Sequence, residues 1–289
     1  MYSKADSLYK AKDFLPAAKL YQEAAEGRNS ASAYYNAACS WALVGQTAPA
    51  LSCLDKSIDA GWTDLEWMKK DSDLNSLHET DEWAQSIQKL GAIVEEIERK
   101  LNKPLKKELE EIYVKDQMYR KMLDSIEQTY GLESDEIKAH WKLINDTDSV
   151  NEMRVVEIIG EYGWPGRSLV GGKANSAVWL VIQHAPLATQ EKYLPLLQAS
   201  VKDGESSGSN LALLEDRILM RNGKPQKYGS QVRRDRDTGE KYFYEIEDPA
   251  NVNERRAEVG LGPIEDYAKR FGFEYKVPEK KAAISPNQP

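Results

Sequence analysis

Acid-base chemistry near neutral pH is done most readily by imidazole, and the 289-residue chain offers three: His78, His140 and His184. His184 is the one that stands among other reactive side chains. It closes the most apolar helical stretch of the chain, 174–184. Asp116, Gln117 and Arg120 lie on a helix whose stripe is otherwise Leu105, Leu109, Ile112, Tyr119, Leu123, Ile126 and Tyr130. An acid on such a stripe is partly buried and needs a partner. Glu215, Asp216 and Arg217 follow the apolar run 211–214, and Gln226, Tyr228 and Gln231 share the string Gln-x-Tyr-Gly-Ser-Gln. One arrangement of these residues is catalytic. His184, Asp116 and Asp216 would converge, with His184 as general base and a carboxylate orienting it. Gln117, Arg120, Arg217, Gln226, Tyr228 and Gln231 would bind the ligand, the two arginines holding its anionic group. The other arrangement is structural. Asp116 pairs with Arg120 one turn later, Asp216 pairs with a cation on another helix, and His184 donates to a backbone carbonyl. Arg217 is too close in sequence to face Asp216, and the glutamines become turn chemistry around a Gly229 of positive φ.

Metal and cofactor chemistry finds little support. One histidine with two acids is a thin donor set for zinc and fits magnesium or manganese at best, so no metal and no cofactor is expected. Gly204-Glu205-Ser206-Ser207-Gly208 matches the pattern of a hydrolase nucleophile elbow, but that elbow needs a strand before its serine, and here a helical stretch precedes it. Residues 166–173 are one position off a phosphate loop and place Ala174 where Ser or Thr must bind magnesium. Arg233, Arg234 and Arg236 are interleaved with acid beside a turn and read as a solvated loop. Cys39 and Cys53 have no Cys or His at ligand spacing and read as small buried hydrophobes.

The elements that carry these residues follow from periodicity. Sliding the chain along itself aligns Ala5 with Ala38, Leu8 with Trp41, Asp13 with Gln46, Ala17 with Ala50 and Tyr21 with Leu54, all at one offset. That offset is the period of helix-turn-helix solenoids. A second shift by the same amount matches more weakly, so 74–90 is expected to close the array. Ala-x-x-Leu-Tyr (5–9), Asp-Phe-x-x-Ala-Ala-x-x-Tyr (13–21) and Tyr-x-Asn-Ala-Ala-Cys-x-x-Ala-Leu-x-Gly-Gln (34–46) resemble the tetratricopeptide-repeat family over residues 2–90. The resemblance implies a concave surface for a peptide or partner protein. Lys103-Pro104 then breaks the pattern. One helix is predicted from Pro104 to Tyr130, and others over 135–144, 149–161, 174–184, 189–201 and 210–221. Ser134 and Asp148 stand at the N-cap positions. Asn222-Gly223 and the alternation of Tyr242, Tyr244 and Ile246 predict a small β-ribbon, followed by helices over 253–259 and 264–271.

Asp-Gln-x-x-Arg (116–120), Asp146 with Asn151, Gly-Trp-Pro (163–165), His184, Leu-x-Asp-Arg (214–217) and Gln-x-Tyr-Gly-Ser-Gln (226–231) together resemble a bacterial domain family of unknown function over residues 105–272. The resemblance groups these residues and implies no activity.

With 39 Lys and Arg against 47 Asp and Glu, the net charge of −8 gives no global field toward nucleic acid or anionic membrane. No apolar run approaches the ~20 residues of a spanning helix, so no membrane partner is expected. The chain as it stands reads as soluble and cytoplasmic, or exported if a leader preceded it. The expected fold is mainly α. Residues 1–103 would form a tetratricopeptide-like solenoid, 104–275 a helical domain with a small β-hairpin, and 276–289 a flexible tail. The function expected is that of an adaptor that binds a protein or peptide and carries a polar pocket for a small anionic ligand. A His-dependent hydrolase or transferase acting on an anionic substrate is the alternative.

Overall fold

Helical periodicity is realised along most of the chain. A computed structural model describes residues 2–235 and 237–278, and among these the architecture is mainly α with one two-stranded antiparallel ribbon. The expected mainly helical fold with a small hairpin is therefore met. No described helix is long and apolar enough to cross a membrane. The chain separates into two compact units, Met1–Lys100 and Leu101–Pro289.

The first unit contains α1 (Tyr2–Lys10), α2 (Phe14–Arg28), α3 (Ala31–Leu43), α4 (Thr47–Asp59), α5 (Leu65–Lys70), a 3-10 segment (Ser72–Leu77) and α6 (Asp81–Lys100). The first four helices pack as two antiparallel pairs because the connections within each pair are short and alike. Lys12, at φ 60, turns α1 into α2, and Gly45, at φ 72, turns α3 into α4. In the first turn the Asp13 amide donates to the Leu8 carbonyl; at the corresponding place in the second, the Gln46 amide donates to the Trp41 carbonyl. Alanines at 5, 17, 38 and 50 are fully buried and let the helices approach closely. Leu54, Met68, Leu74, Leu77 and Leu90 complete the core with Trp83. Each such leucine or methionine contributes about 1.5–3 kcal/mol by leaving water. Cys39 and Cys53 are free thiols buried in this core.

The second unit runs through α7 (Lys103–Arg120), α8 (Leu123–Tyr130), α9 (Asp135–Tyr162), α10 (Arg167–Val170), α11 (Gly172–His184), α12 (Leu187–Lys202) and α13 (Gly208–Arg221). Then come β1 (Val232–Arg234), β2 (Lys241–Phe243), a 3-10 turn (Pro249–Asn251), α14 (Val252–Glu258) and α15 (Ile264–Arg270). α11 is the hub, in contact with α7, α9, α12 and α13. Its Ala174, Ala177, Val178, Val181 and Ile182 are buried, as expected of a helix apolar nearly all round. The ribbon pairs Val232 with Phe243 and Arg234 with Lys241. Phe243 enters a satellite core with Val252, Ile264 and Ala268.

Two predicted boundaries are corrected. The helix expected to continue to Tyr130 breaks after Arg120, because α8 has no buried residue to hold it on the axis of α7 and packs on α9 instead. The helices expected over 135–144 and 149–161 are one continuous helix, α9. Asp148 is therefore an interior residue and not a cap. Neither Gly nor Pro interrupts the stretch between them, and the Asp148 carboxylate has a partner on α7, so it does not compete for the backbone. Ser134 does cap α9, accepting from the Ile137 amide at 3.2 Å. Arg236 and most of the expected tail, 279–289, lie outside the described residues.

Candidate functional site

The C-terminal residue of α11 meets the C-terminal half of α7. His184 Nδ1 lies 3.0 Å from Asp116 Oδ1, and the Asp116 side chain is 1% exposed while that of His184 is 16% exposed. Gln117 Nε2 donates to the second Asp116 oxygen at 2.7 Å. Arg120 donates to the Asp116 carbonyl at 2.8 Å, stands 3.4 Å from its carboxylate, and reaches Asp148 on α9 at 2.6 Å. The helical spacing explains the convergence: Asp116 and Arg120 are one turn apart on α7, and α11 and α9 both pack against that helix. Burial alone would raise the Asp116 carboxyl. The hydrogen bond and charge of His184, with help from Arg120 and Gln117, outweigh that and hold it below the usual carboxylate range. In the neutral ring, with Nδ1 donating to Asp116, the lone pair is on Nε2; in the imidazolium both nitrogens carry a proton.

Cations gather beside this network. Arg221 on α13 donates to the Ala185 carbonyl at 2.8 Å, immediately after His184. Arg217 is held by burial, and by the charges of Arg221 and Arg120, at a pKa of about 10. Its Nε is buried without a hydrogen-bond partner. Asp148 Oδ1 is likewise buried and unpartnered. Gln117 also lines a neighbouring cavity of about 420 Å³ that carries Lys121 and Lys173.

Asp216 does not join this group. It is fully buried and accepts hydrogen bonds from the amides of Lys227 at 2.7 Å, Tyr228 at 3.0 Å and Ser230 at 2.9 Å. The expectation that it converges with His184 is replaced by a carboxylate that clamps a loop; of the alternative, a cation across helices, there remains the charge interaction with Arg256 on α14, without a direct ion pair among the described residues. Burial raises its carboxyl, and the three amides oppose that only in part. Gln226 and Gln231 serve the same loop. The Gln226 side chain accepts from the Gln231 amide at 2.8 Å and donates to the Gln231 and Tyr244 carbonyls. Gln231 donates to the Ser230 hydroxyl at 2.9 Å. Tyr228 presents its hydroxyl to Glu215 at 3.4 Å, and Arg256 grips the Tyr228 carbonyl at 2.7 Å. These contacts fit the turn-chemistry arrangement, including the positive φ of Gly229 (67°).

Asp148 and Arg221 are the members that sequence reasoning missed. A signal for Asp148 was present: Ile144, Asp148, Asn151 and Val155 follow 4-3-4 spacing, and the other three are buried. No comparable signal marks Arg221, whose partner is a backbone carbonyl.

All of these residues lie within a segment, 105–278, that matches the model of a family of unknown function, DUF6624. The chain belongs to the DUF6624 family. No curated protein and no solved structure matches it. Within the DUF6624 domain, Asp116, Asp148 and His184 offer ligand atoms all within 4.8 Å of one another, a spacing that would suit a metal ion. The third member is thus Asp148 and not Asp216. In the present geometry the Arg120 guanidinium bridges the two carboxylates, supplying the positive charge that a metal would bring. Ser206 of the DUF6624 domain is tied to Ser200 at 2.7 Å and receives Asn175 at 2.9 Å. The 166–173 loop is closed by Glu205, whose carboxylate accepts from the Ser168 amide at 2.7 Å. Neither has the surroundings of a nucleophile or a phosphate cradle.

Proposed function

We propose that this protein is a binding adaptor: Met1–Lys100 acts as a tetratricopeptide-like module that seats a peptide or protein segment, and the DUF6624 domain carries a polar site for a small anion. The observation that carries this reading is a cavity of about 230 Å³ in the first unit, lined by Tyr9, Tyr35, Trp62 and Trp67. It draws residues from two consecutive helical hairpins, which is where a helical-repeat module presents its concave face. The matching turn hydrogen bonds, Asp13 to Leu8 and Gln46 to Trp41, support the repeat. Selection of a random-peptide display library on the full chain tests it. A common motif enriched by the native chain and lost with Trp62→Ala is the expected result; no enrichment over an unrelated helical protein would refute it.

A second reading, a His-dependent hydrolase or transferase acting on an anionic substrate, is favoured by one observation. Arg217 is a cation whose Nε has no partner, and Arg120, already paired to the Asp116–His184 dyad, is close enough to lower its pKa. Turnover of phosphate or carboxylate esters by the native chain, abolished by His184→Gln with the fold intact, would establish it over simple binding.

A further inference from the structure

The cavity of the first unit has a distinct chemistry. Tyr35 and Trp62 stack at 4.0 Å between ring centres, 10° from parallel, and Trp67 remains 55% exposed although it lines the cavity. Such aromatic walls attract cations through their ring quadrupoles. Two carboxylates, Asp71 and Asp73, complete the lining. The Tyr35 hydroxyl donates to Asp71 Oδ2 at 3.0 Å, and the Tyr9 hydroxyl donates to Asp73 Oδ2. Asp71 also fixes the 3-10 segment through the Asp73 amide at 3.1 Å. These donors are neutral, so they orient the carboxylates and leave both negative charges in place. Among the described residues no Lys, Arg or His lines the cavity, and neither acid has a salt-bridge partner. Asp73 Oδ1 has no hydrogen-bond partner among the described residues.

We infer that this cavity receives the cationic side chain of a partner peptide, an arginine or lysine whose head pairs with Asp73 and Asp71 while its stem lies along Trp62 and Trp67. The inference rests on the reading of the first unit as a peptide-binding module and names the chemistry it selects. A volume of about 230 Å³ accommodates one such head and part of its stem and excludes a folded domain. Charge complementarity decides between cationic and acidic partners, because a carboxylate in this place would meet two others with no counter-ion. A metal is the competing occupant, since Cys39 Sγ and the two acids lie within 4.8 Å of one another. The zinc arm of the titration below separates the two occupants.

The test titrates the full chain with four capped hexapeptides, Gly-Ser-Gly-Xaa-Gly-Ser, in which Xaa is arginine, citrulline, lysine or norleucine. Indole N–H cross-peaks in ¹⁵N spectra, assigned through Trp62→Phe and Trp67→Phe, report occupancy. Citrulline and norleucine keep the size of the cationic residues and remove the charge. The arginine and lysine peptides are expected to move the Trp62 and Trp67 signals, with affinities about tenfold or more above their neutral counterparts, as charge-assisted pairing at a partly dry site requires. Asp73→Asn should abolish that preference and leave the neutral peptides unchanged. Equal affinity for arginine and citrulline peptides would overturn the inference while leaving a peptide groove. Preferential binding of zinc or tetramethylammonium over the arginine peptide would overturn it too. Absence of any indole shift, together with an unenriched display library, would remove both the inference and the reading beneath it.

Discussion

Replacing Asp216 by alanine takes the acceptor from three backbone amides at once, those of Lys227, Tyr228 and Ser230. An amide left buried without a partner costs about 1–3 kcal/mol, so three would cost up to about 9 kcal/mol if the loop stayed rigid. Two effects reduce that figure. Water can enter beside Lys227 and Tyr228, which are only partly buried, and removal of the acid relieves its own desolvation. The Ser230 amide, with both residues buried, keeps its full penalty. A net loss of about 3 kcal/mol, roughly a hundredfold in the folding equilibrium, is expected for Asp216→Ala. Asp216→Asn, which keeps one acceptor oxygen, should lose about half as much. Urea unfolding followed by circular dichroism measures the change, and hydrogen exchange at the 227, 228 and 230 amides locates it. The pH dependence has a defined sign. Burial raises the folded-state carboxyl above its unfolded value of about 3.9, so the folded form binds the proton more tightly. The contribution of this ionisation to stability is greatest below that unfolded value and is lost as pH rises through the folded one. A stability of Asp216→Ala within about 0.5 kcal/mol of the native chain, the range of an inconsequential surface change, with unchanged amide protection, would refute the clamp. Loss of ligand binding at unchanged stability would restore Asp216 to a catalytic role.

Three further outcomes are expected. Asp116→Asn should destabilise the protein by about 1–3 kcal/mol at pH 7, because Arg120 and His184 lose a buried carboxylate. Since that carboxyl is held below its unfolded value, the difference from the native chain should vanish as pH falls through the folded value, which melting temperatures across pH 2–7 would show. Gly229→Ala should cost about 2 kcal/mol in urea unfolding, because φ is 67° and a Cβ would lie 2.3 Å from Ile264 Cδ1; a cost under about 0.5 kcal/mol would refute the constraint. Sulfate should raise the melting temperature of the native chain and leave Arg217→Met unmoved; an equal rise in both would place the anion elsewhere.

The helical grammar was legible because it depends on local spacing. The recurrence of the first hairpin in the second, the turn at Gly45 and the centrality of α11 all follow from the spacing of residues along individual helices. Asp116 was legible for the same reason: an acid on an apolar stripe must find partners, and Arg120 sits one turn away. Asp216 looked equivalent, on an equally apolar helix, yet its partners are backbone amides 11 to 14 residues ahead. Backbone donors carry no residue signature, so nothing in the side-chain pattern separates a loop clamp from a catalytic acid. Asp148 fell to the opposite error. An Asp before a helical-looking stretch reads as a cap, and only the long-range contact to Arg120 makes it an interior ion-pair partner.

That contact bears on what His184 can do. Asp116, Asp148 and Arg120 together carry a net charge of −1, two carboxylates against one guanidinium. With neutral His184 the network keeps that negative charge and faces an incoming anion unfavourably; with imidazolium it becomes neutral, and the charges of Arg217 and Arg221 are no longer opposed. An anion at this site would therefore be held best by the imidazolium form, which carries a proton on Nε2 as well as on Nδ1. A protonated Nε2 can donate to an anion or to a leaving group and cannot accept a proton from a nucleophile. For the anionic ligand proposed above, the arrangement would suit His184 as anion ligand or general acid rather than the general base that its residue type suggests. His184→Gln, which removes any imidazolium charge, should bind sulfate more weakly than the native chain does. Equal sulfate affinity of His184→Gln and the native chain would remove His184 from the anion site.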